Sequence, residues 1–219
     1  MTTFAVLGTG AVGQAVAGKL VSLGHQVTMG SRTAGNANAM AWAADAGDGA
    51  RQGSFADAAA LGDIVVNATS GLGSLAALQA AGADNLADKL VIDIANPLDF
   101  SGGFPPVLSV ANDDSLGEQI QREFPDARVV KALNTVTADV MVDPSRVPGR
   151  HTVFVSGDYS AAKEEVSGLL QSFGWPADDV LDLGDITTAR GTEMYMALWV
   201  RLYGAIGSLH FNIAVVRGA

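Results

Sequence analysis

No cysteine occurs in the 219-residue chain, which removes disulfides, thiolate nucleophiles, cysteine-ligated zinc and iron–sulfur clusters from its chemistry. Charge is sparse, at 16% of residues, and positive charge is the scarcer sign: 13 Lys and Arg stand against 23 Asp and Glu, a formal net charge of −10. Such a field repels phosphate backbones and anionic lipid, so neither nucleic acid nor a membrane is an expected partner. Any anion the chain binds must be captured locally, against that field. Long apolar runs are missing too: the best candidate, residues 194–206, is interrupted by Arg201, and a bilayer span needs about 18 apolar residues. The opening MTTFAVLGTG lacks a basic n-region and a cleavage box, so it does not read as a signal peptide and a cytoplasmic location is expected. The three histidines, His25, His151 and His210, are scattered without metal-ligand spacing, and no metal site is expected. Neither G-x-S-x-G nor H-E-x-x-H occurs, which excludes two common hydrolytic solutions.

What is present is an apolar fraction of 48% and 26 glycines, enough for a globular core in one domain or one domain with a small appendage. Short β-branched runs alternate with Ala-rich stretches. They predict strands over 4–7, 26–29, 63–68, 89–94 and 128–132, and helices over 12–23, 36–45, 74–81 and 115–124. Strand–helix–strand repetition calls for parallel strands joined by right-handed crossovers, hence an α/β, Rossmann-type doubly wound parallel sheet. Residues 96–114, with Pro97, Pro105, Pro106 and the Gly102-Gly103 pair, read as a loop long enough to bind or cover a ligand. A second breaker cluster, DPSRVPG at 143–149, predicts a boundary between a dinucleotide-binding domain (1–149) and a small C-terminal α/β extension (150–219). That extension is read as strand 151–156, helix 159–173, a short strand 180–183, helix 186–205 and an apolar tail.

The first predicted strand runs directly into Gly8-Thr9-Gly10-Ala11-Val12-Gly13, and a helix follows. Gly8 permits the tight turn, Gly10 lets backbone approach a pyrophosphate, and Gly13 lets helix and strand pack closely. The helix N-terminus adds free N–H groups and a positive dipole end, which solves the problem of holding an anion on an acidic protein. At the end of the second strand, where an NAD-selective site carries an acid for the ribose 2′-hydroxyl, the chain reads Gly30-Ser31-Arg32-Thr33. A hydroxyl and a guanidinium there suit a 2′-phosphate, so NADP(H) is the expected cofactor.

No acid–base dyad accompanies this loop, and no catalytic residue is assigned. Asp93, inside an apolar strand, reads as a buried acid that bonds loop backbone. Tyr195, Tyr203 and Lys131 are positional candidates only for a proton donor. The spacing of Arg190, Glu193, Ala197 and Arg201 puts them on one helical stripe, read as a salt-bridged polar face. A nicotinamide enzyme without acid–base groups transfers hydride to an acceptor that needs little proton chemistry.

Taken together, the glycine loop, GSR (30–32), DIANPL (93–98), VVKALNTV (129–136), VSGD (155–158) and DLGDITTAR (182–190) make the chain resemble the coenzyme F420-dependent NADP reductases, a family similar in turn to the NADPH-binding domain of the STEAP metalloreductases. The resemblance spans nearly the whole chain. It implies a homodimer, direct hydride transfer between NADP(H) and a deazaflavin, coenzyme F420, and a Rossmann domain with a small C-terminal portion. Carried over by motif, Thr9, Gly10, Ala11 and Val12 would meet the pyrophosphate. Ser31 and Arg32 would hold the 2′-phosphate. Ala68, Thr69, Asn96 and Pro97 would line the nicotinamide side, with Val136 and Ala138 against the ring. For the acceptor pocket the resemblance offers Asn134 and the C-terminal tail around Tyr203–Asn212, Asn134 serving either the acceptor ring's polar edge or merely the strand-end turn. One departure is plain: a deazaflavin coenzyme carries phosphate and glutamyl groups, whereas this chain is acidic and offers few cations. Two other readings stand beside this one, an NADPH-dependent reductase of a flavin, quinone, metal chelate or carbonyl, and a non-catalytic NADP(H) sensor.

Overall fold

Strand runs without polar alternation are the mark of burial on both faces. The segments IVVN and LVID meet that criterion and are buried along their whole length. The structure, a computed structural model, describes residues 1–218. In chain order its elements are β1 (Thr3–Leu7), α1 (Ala11–Ser22), β2 (Gln26–Ser31), α2 (Ala37–Ala46), β3 (Ala50–Ser54), α3 (Phe55–Leu61), β4 (Ile64–Asn67), α4 (Gly71–Ala81) and α5 (Ala83–Leu86). There follow β5 (Leu90–Asp93), β6 (Leu98–Asp99), β7 (Val107–Leu108), α6 (Leu116–Glu123), β8 (Arg128–Ala132), α7 (Ala138–Val142), β9 (Val153–Ser156), α8 (Ser160–Phe173), β10 (Val180–Gly184) and α9 (Ala189–Ile206).

Eight strands form one sheet in the order β10-β9-β8-β5-β4-β1-β2-β3, a Rossmann-like α/β fold. From β8 to β3 every neighbouring pair is parallel. The chain winds outward from β1 through β2 and β3, then from β4 through β5 and β8. The order therefore reverses between β1 and β4, and a crevice opens beyond their carboxyl ends, where ligands bind in sheets of this kind. Alternate residues of β1 serve opposite cores: Phe4 and Val6 pack with Leu20 and Met29 on one face, Ala5 and Leu7 with Phe55 and Leu78 on the other.

Three features depart from the sequence reading. β9 pairs with β8 antiparallel, through Lys131↔Ser156 and Ala132↔Val155, and β10 runs parallel to β9. The sheet is thus mixed at one edge, because the five-residue α7 and a turn at Pro144–Arg146 fold the chain back at the end where β8 leaves the sheet. Residues beyond 150 also share a core with the first half, Val153, Val155 and Val166 clustering with Val130 and Val140. The second departure is β3 and α3, which the hydrophobic pattern does not announce: ARQGS lies on the sheet edge and has no apolar alternation. A local signal for α3 does exist. Ser54 Oγ accepts from the Asp57 N–H at 3.1 Å while the Asp57 carboxylate accepts from the Ser54 N–H at 2.9 Å, a capping box. Within 96–114, expected to be loop, β6 and β7 form a two-residue antiparallel hairpin, Leu98↔Leu108 and Asp99↔Val107. Among the described residues no helix is long and apolar enough to cross a membrane.

Candidate functional site

The glycine loop sits at the reversal of strand order. Gly8 has φ +122°, and a Cβ there would lie 2.4 Å from the Ala68 carbonyl oxygen; its N–H donates to Gly30 O at 3.0 Å. A Cβ on Gly13 would lie 2.1 Å from Gly8 O, so the start of α1 approaches β1 only as glycine. Gly10 differs. Its φ of −80° is open to any residue, and a Cβ there would meet nothing within 4 Å. The protein leaves that space open. No side chain caps α1, so the orphan N–H groups of its first turn face the same space. Gln14 Nε2 donates to Thr9 O at 2.9 Å and fixes the loop from behind. The cradle fits a pyrophosphate.

From the loop a groove of about 890 Å³ runs over the end of β2, lined by Gly8, Thr9, Gly10, Ser31, Arg32, Thr33, Asn36 and Phe55. Arg32 is exposed and makes no ion pair or hydrogen bond with its side chain among the described residues. Ser31 is buried, and its hydroxyl donates to Thr33 O at 2.7 Å, so it shapes the turn that presents Arg32. Thr33 and Asn36, which the sequence reading did not include, come from that same turn; Asn36 Oδ1 also caps α2, accepting from the Asn38 and Ala39 N–H groups at 3.0 and 3.2 Å.

Ala68, Thr69 and Ser70 line this groove and also a second cleft of about 820 Å³. Here the structure brings together Ala11, Val12, Ala68, Thr69, Asn96, Asn134, Val136 and Ala138, residues scattered over more than half the chain. Three expected residues lie elsewhere. Pro97 does not line the cleft; its carbonyl accepts from the Ser109 N–H at 2.8 Å and closes the β6–β7 hairpin. Tyr203 stacks outside on Trp199, centroids 5.9 Å apart. Asn212 Nδ2 faces His151 Nδ1 at 3.0 Å and donates to Thr152 O at 3.0 Å, tying the tail to the start of β9. Met196, Trp199 and Leu209 occupy the wall in their place. Met196 and Trp199 escaped the sequence reading because α9 is apolar on more than one face, so helical period alone does not say which side meets the cleft; Leu209 lies beyond α9, inside the expected tail stretch between Tyr203 and Asn212.

The walls are locked by amides. Asn134, buried, donates from Nδ2 to Asn96 Oδ1 and to Thr192 O, both at 3.0 Å, while Asn96 Nδ2 donates back to Asn134 O at 2.7 Å. Gly71 opens α4 directly against this turn, since a Cβ there would lie 2.0 Å from Asn96 O.

Behind the cleft lies a sealed charge network. Lys131 Nζ is 2.7 Å from Asp93 Oδ2 and 2.8 Å from Glu193 Oε1, and it donates to Ala95 O at 2.5 Å. Burial works to lower the Lys131 pKa, but the two carboxylates outweigh it and hold the ammonium above the ordinary lysine value. Asp93 Oδ1 accepts from Asn67 Nδ2 at 2.8 Å and from the Ala95 N–H at 3.2 Å; Asn67 Oδ1 accepts from Thr69 Oγ1 at 2.7 Å. The buried acid thus bonds loop backbone, as its place in the strand implied, and anchors a cation as well. Glu193 accepts from the Leu116 and Gly117 N–H groups at 2.8 and 3.0 Å, so a residue of α9 holds the start of α6. The expected polar stripe is therefore divided: Glu193 is buried, and Arg190 grips Glu118 through two bonds at 2.8 and 2.5 Å. The ionisable side chains that line the cleft are Asp99 and Asp139.

A Rossmann-like sheet with an anion cradle at its switch point and an adjoining apolar cleft defines a dinucleotide-dependent oxidoreductase. Residues 3–97 match the family model described as "NADP oxidoreductase coenzyme F420-dependent". The chain is 53% identical to a crystallised protein of Arthrobacter sp. FB24 that carries the provisional name F420-dependent NADP-reductase; the match covers 99% of this chain and 100% of that one, with a TM-score of 0.93. The chain belongs to this coenzyme F420-dependent NADP oxidoreductase family, and it is an NADP-dependent oxidoreductase. A hypothetical protein of Sinorhizobium meliloti is 27% identical over 86% of this chain and 88% of its own, TM-score 0.66. A reductive aminase of Aspergillus terreus shares the fold at 21% identity over 94% of this chain and 62% of its own, TM-score 0.66. No curated protein matches the chain.

Proposed function

We propose that the protein transfers hydride between NADPH and a deazaflavin of the coenzyme F420 type, the two rings meeting in the cleft between Val12, Val136 and Trp199. The observation that carries this reading is the adjacency of the two cavities, which share Ala68, Thr69 and Ser70 in their walls. One cavity offers an open glycine cradle and an unpaired Arg32, the other an apolar chamber with room for a second ring. Bound NADPH would supply the hydride, the acceptor taking its accompanying proton from water. The chain's own part is placement. The N–H groups of α1 and the Gly10 space hold the pyrophosphate, Arg32 holds the 2′-phosphate with a charge-assisted fork, and Thr69, Asn96 and Val136 face the nicotinamide end. Lys131, Asp93 and Glu193 fix the wall from inside and are sealed from any proton in the cleft. A reaction that is mainly juxtaposition of two rings suits such a site.

The same reading includes a homodimer, supported by the outer face of α9, where Leu198 and Ile206 are 54% and 52% exposed; sedimentation of the full chain tests it. The function is tested by mixing protein, NADPH and oxidised F420 and following loss of deazaflavin absorbance. A rate above the enzyme-free control is expected, and a rate equal to it overturns the assignment.

A further inference from the structure

We propose that Thr69 meets bound NADP(H) as a hydrogen-bond acceptor only, receiving an O–H or N–H donor from the nicotinamide riboside, and that Asn67 and Asp93 impose this polarity from inside the sheet. The proposal rests on the dinucleotide lying along the two cavities and holds whatever the redox acceptor. Thr69 stands where the walls of the two cavities meet, just beyond the carboxyl end of β4. Its single hydroxyl hydrogen has two claimants, both within the protein: Asn67 Oδ1 at 2.7 Å and Ser74 Oγ at 3.0 Å. Its backbone N–H also turns to Asn67 Oδ1, at 3.4 Å.

The orientation of Asn67 decides where that hydrogen goes. Asn67 is buried, and its Nδ2 donates to Asp93 Oδ1 at 2.8 Å and to Ser74 Oγ at 3.0 Å. Asp93 Oδ2 faces the Lys131 ammonium at 2.7 Å, and a carboxylate paired in this way offers both oxygens as acceptors. Turning the amide over would set oxygen against oxygen, so Asn67 is fixed with Nδ2 towards Asp93 and its carbonyl towards Thr69. That carbonyl only accepts, and the Thr69 hydroxyl donates to it over the shorter of its two contacts. Ser74 has a hydrogen of its own for Ser70 O at 3.2 Å or for Thr69. Thr69 Oγ1 is therefore left with no hydrogen for a ligand and with at least one lone pair. The pyrophosphate oxygens of a dinucleotide carry no hydrogen and have no use for it, whereas the nicotinamide riboside offers ribose hydroxyls and a carboxamide N–H. A buried ion pair is weak evidence of stabilisation in itself. Here the Lys131–Asp93 pair gives a direction to a chain of hydrogen bonds that runs from the interior to the cofactor groove.

Calorimetric titration of the full chain with oxidised NADP tests this without any redox acceptor, so its outcome is separate from that of the deazaflavin assay. Thr69→Val keeps the shape and removes the hydroxyl; it should weaken binding about 3- to 10-fold, the scale of one neutral hydrogen bond, while Thr69→Ser stays within about 2-fold of wild type. Three analogues separate a lost ligand contact from a disturbed wall. One carries an acetyl group in place of the carboxamide, keeping the carbonyl and losing the N–H; the others lack the 2′- or the 3′-hydroxyl of the nicotinamide ribose. With the analogue that lacks the donor Thr69 receives, the valine penalty should fall below about 2-fold, and with the other two it should persist, which also identifies the donor. Asn67→Ala frees the Thr69 hydroxyl and should narrow the preference for NADP over that same analogue. A merely structural Asn67 would weaken both ligands alike, and an unchanged preference would overturn its positioning role. No valine penalty with NADP itself, or one carried undiminished by all three analogues, would overturn the proposal as a whole and leave the NADP dependence and the deazaflavin reading standing.

Discussion

The Lys131 ammonium and the Glu193 carboxylate lie 2.8 Å apart, both essentially excluded from solvent. This contact joins the last strand of the parallel run to the last helix and sets the wall of the apolar cleft. Because Glu193 also accepts two N–H groups at the start of α6, one side chain holds three elements. Replacing it should leave a buried cation with one partner fewer. Glu193→Gln is expected to cost about 3–5 kcal/mol, read as a lowered urea midpoint with an unchanged slope. A loss below 1 kcal/mol would show that the network is not sealed.

Gly10 and Gly13 predict opposite outcomes for the same substitution. A Cβ at Gly13 collides with backbone at 2.1 Å, whereas at Gly10 it enters open space. Gly10→Ala should change the stability of the ligand-free protein by no more than about 1 kcal/mol, the scale of an N-cap effect, yet weaken NADPH binding at least about 10-fold by filling the cradle. Gly13→Ala should lower the melting temperature of the ligand-free protein itself. Calorimetric titration beside thermal melts separates the two.

Among the described residues the exposed Arg32 side chain has no partner, and it lines the groove over the end of β2. Arg32→Ala is expected to lose a charge-assisted contact worth about 1.5–3 kcal/mol, roughly 10- to 100-fold in NADPH affinity, while NADH binding barely moves. Equal losses for both nucleotides would remove the 2′-phosphate role.

Trp199 lines the cleft and is stacked between Tyr203 and Phe211, 5.9 and 5.1 Å away. Trp199→Leu should remove an aromatic platform worth about 0.5–1.5 kcal/mol, raising KM for the acceptor roughly 2- to 10-fold with NADPH affinity unchanged. A change confined to NADPH would place the indole on the wrong ring.

Stability should fall in acid through Glu118. Its carboxyl is held below the ordinary glutamate value by Arg190 first, against the opposing effect of burial, with Ser115 adding to Arg190. A carboxylate whose pKa is lowered by folding stabilises the protein above the unfolded value, and that contribution is lost as pH falls through the folded one. Arg190→Ala should therefore lower the stability plateau above about pH 4.5, the ordinary glutamate value, and flatten the acid limb below it. Parallel profiles for wild type and variant would refute the coupling.

Local chemistry was legible. The glycine loop, the strands that flank it and the missing acid after β2 are short-range signals, because a tight turn, a close approach and a buried strand each impose their residue types on neighbours in sequence. The capping box at Ser54 and Asp57 is equally local, but the strand before it has no hydrophobic period to mark the unit. Long-range facts were not legible. That Lys131 is a buried tether rather than a proton donor depends on Asp93 and Glu193, 38 and 62 positions away, meeting at one point. That Trp199 faces the cleft while Asn212 turns to His151 depends on how α9 is rotated against β8 and where the tail is laid. The reversal of β9 depends on how the chain folds back after β8. By itself the sequence determined an α/β chain with an anion cradle near its N-terminus, since those features are written in adjacent residues. Only the tertiary structure decided which side chains line the apolar cleft, because that follows from the packing of distant elements, which no local pattern encodes.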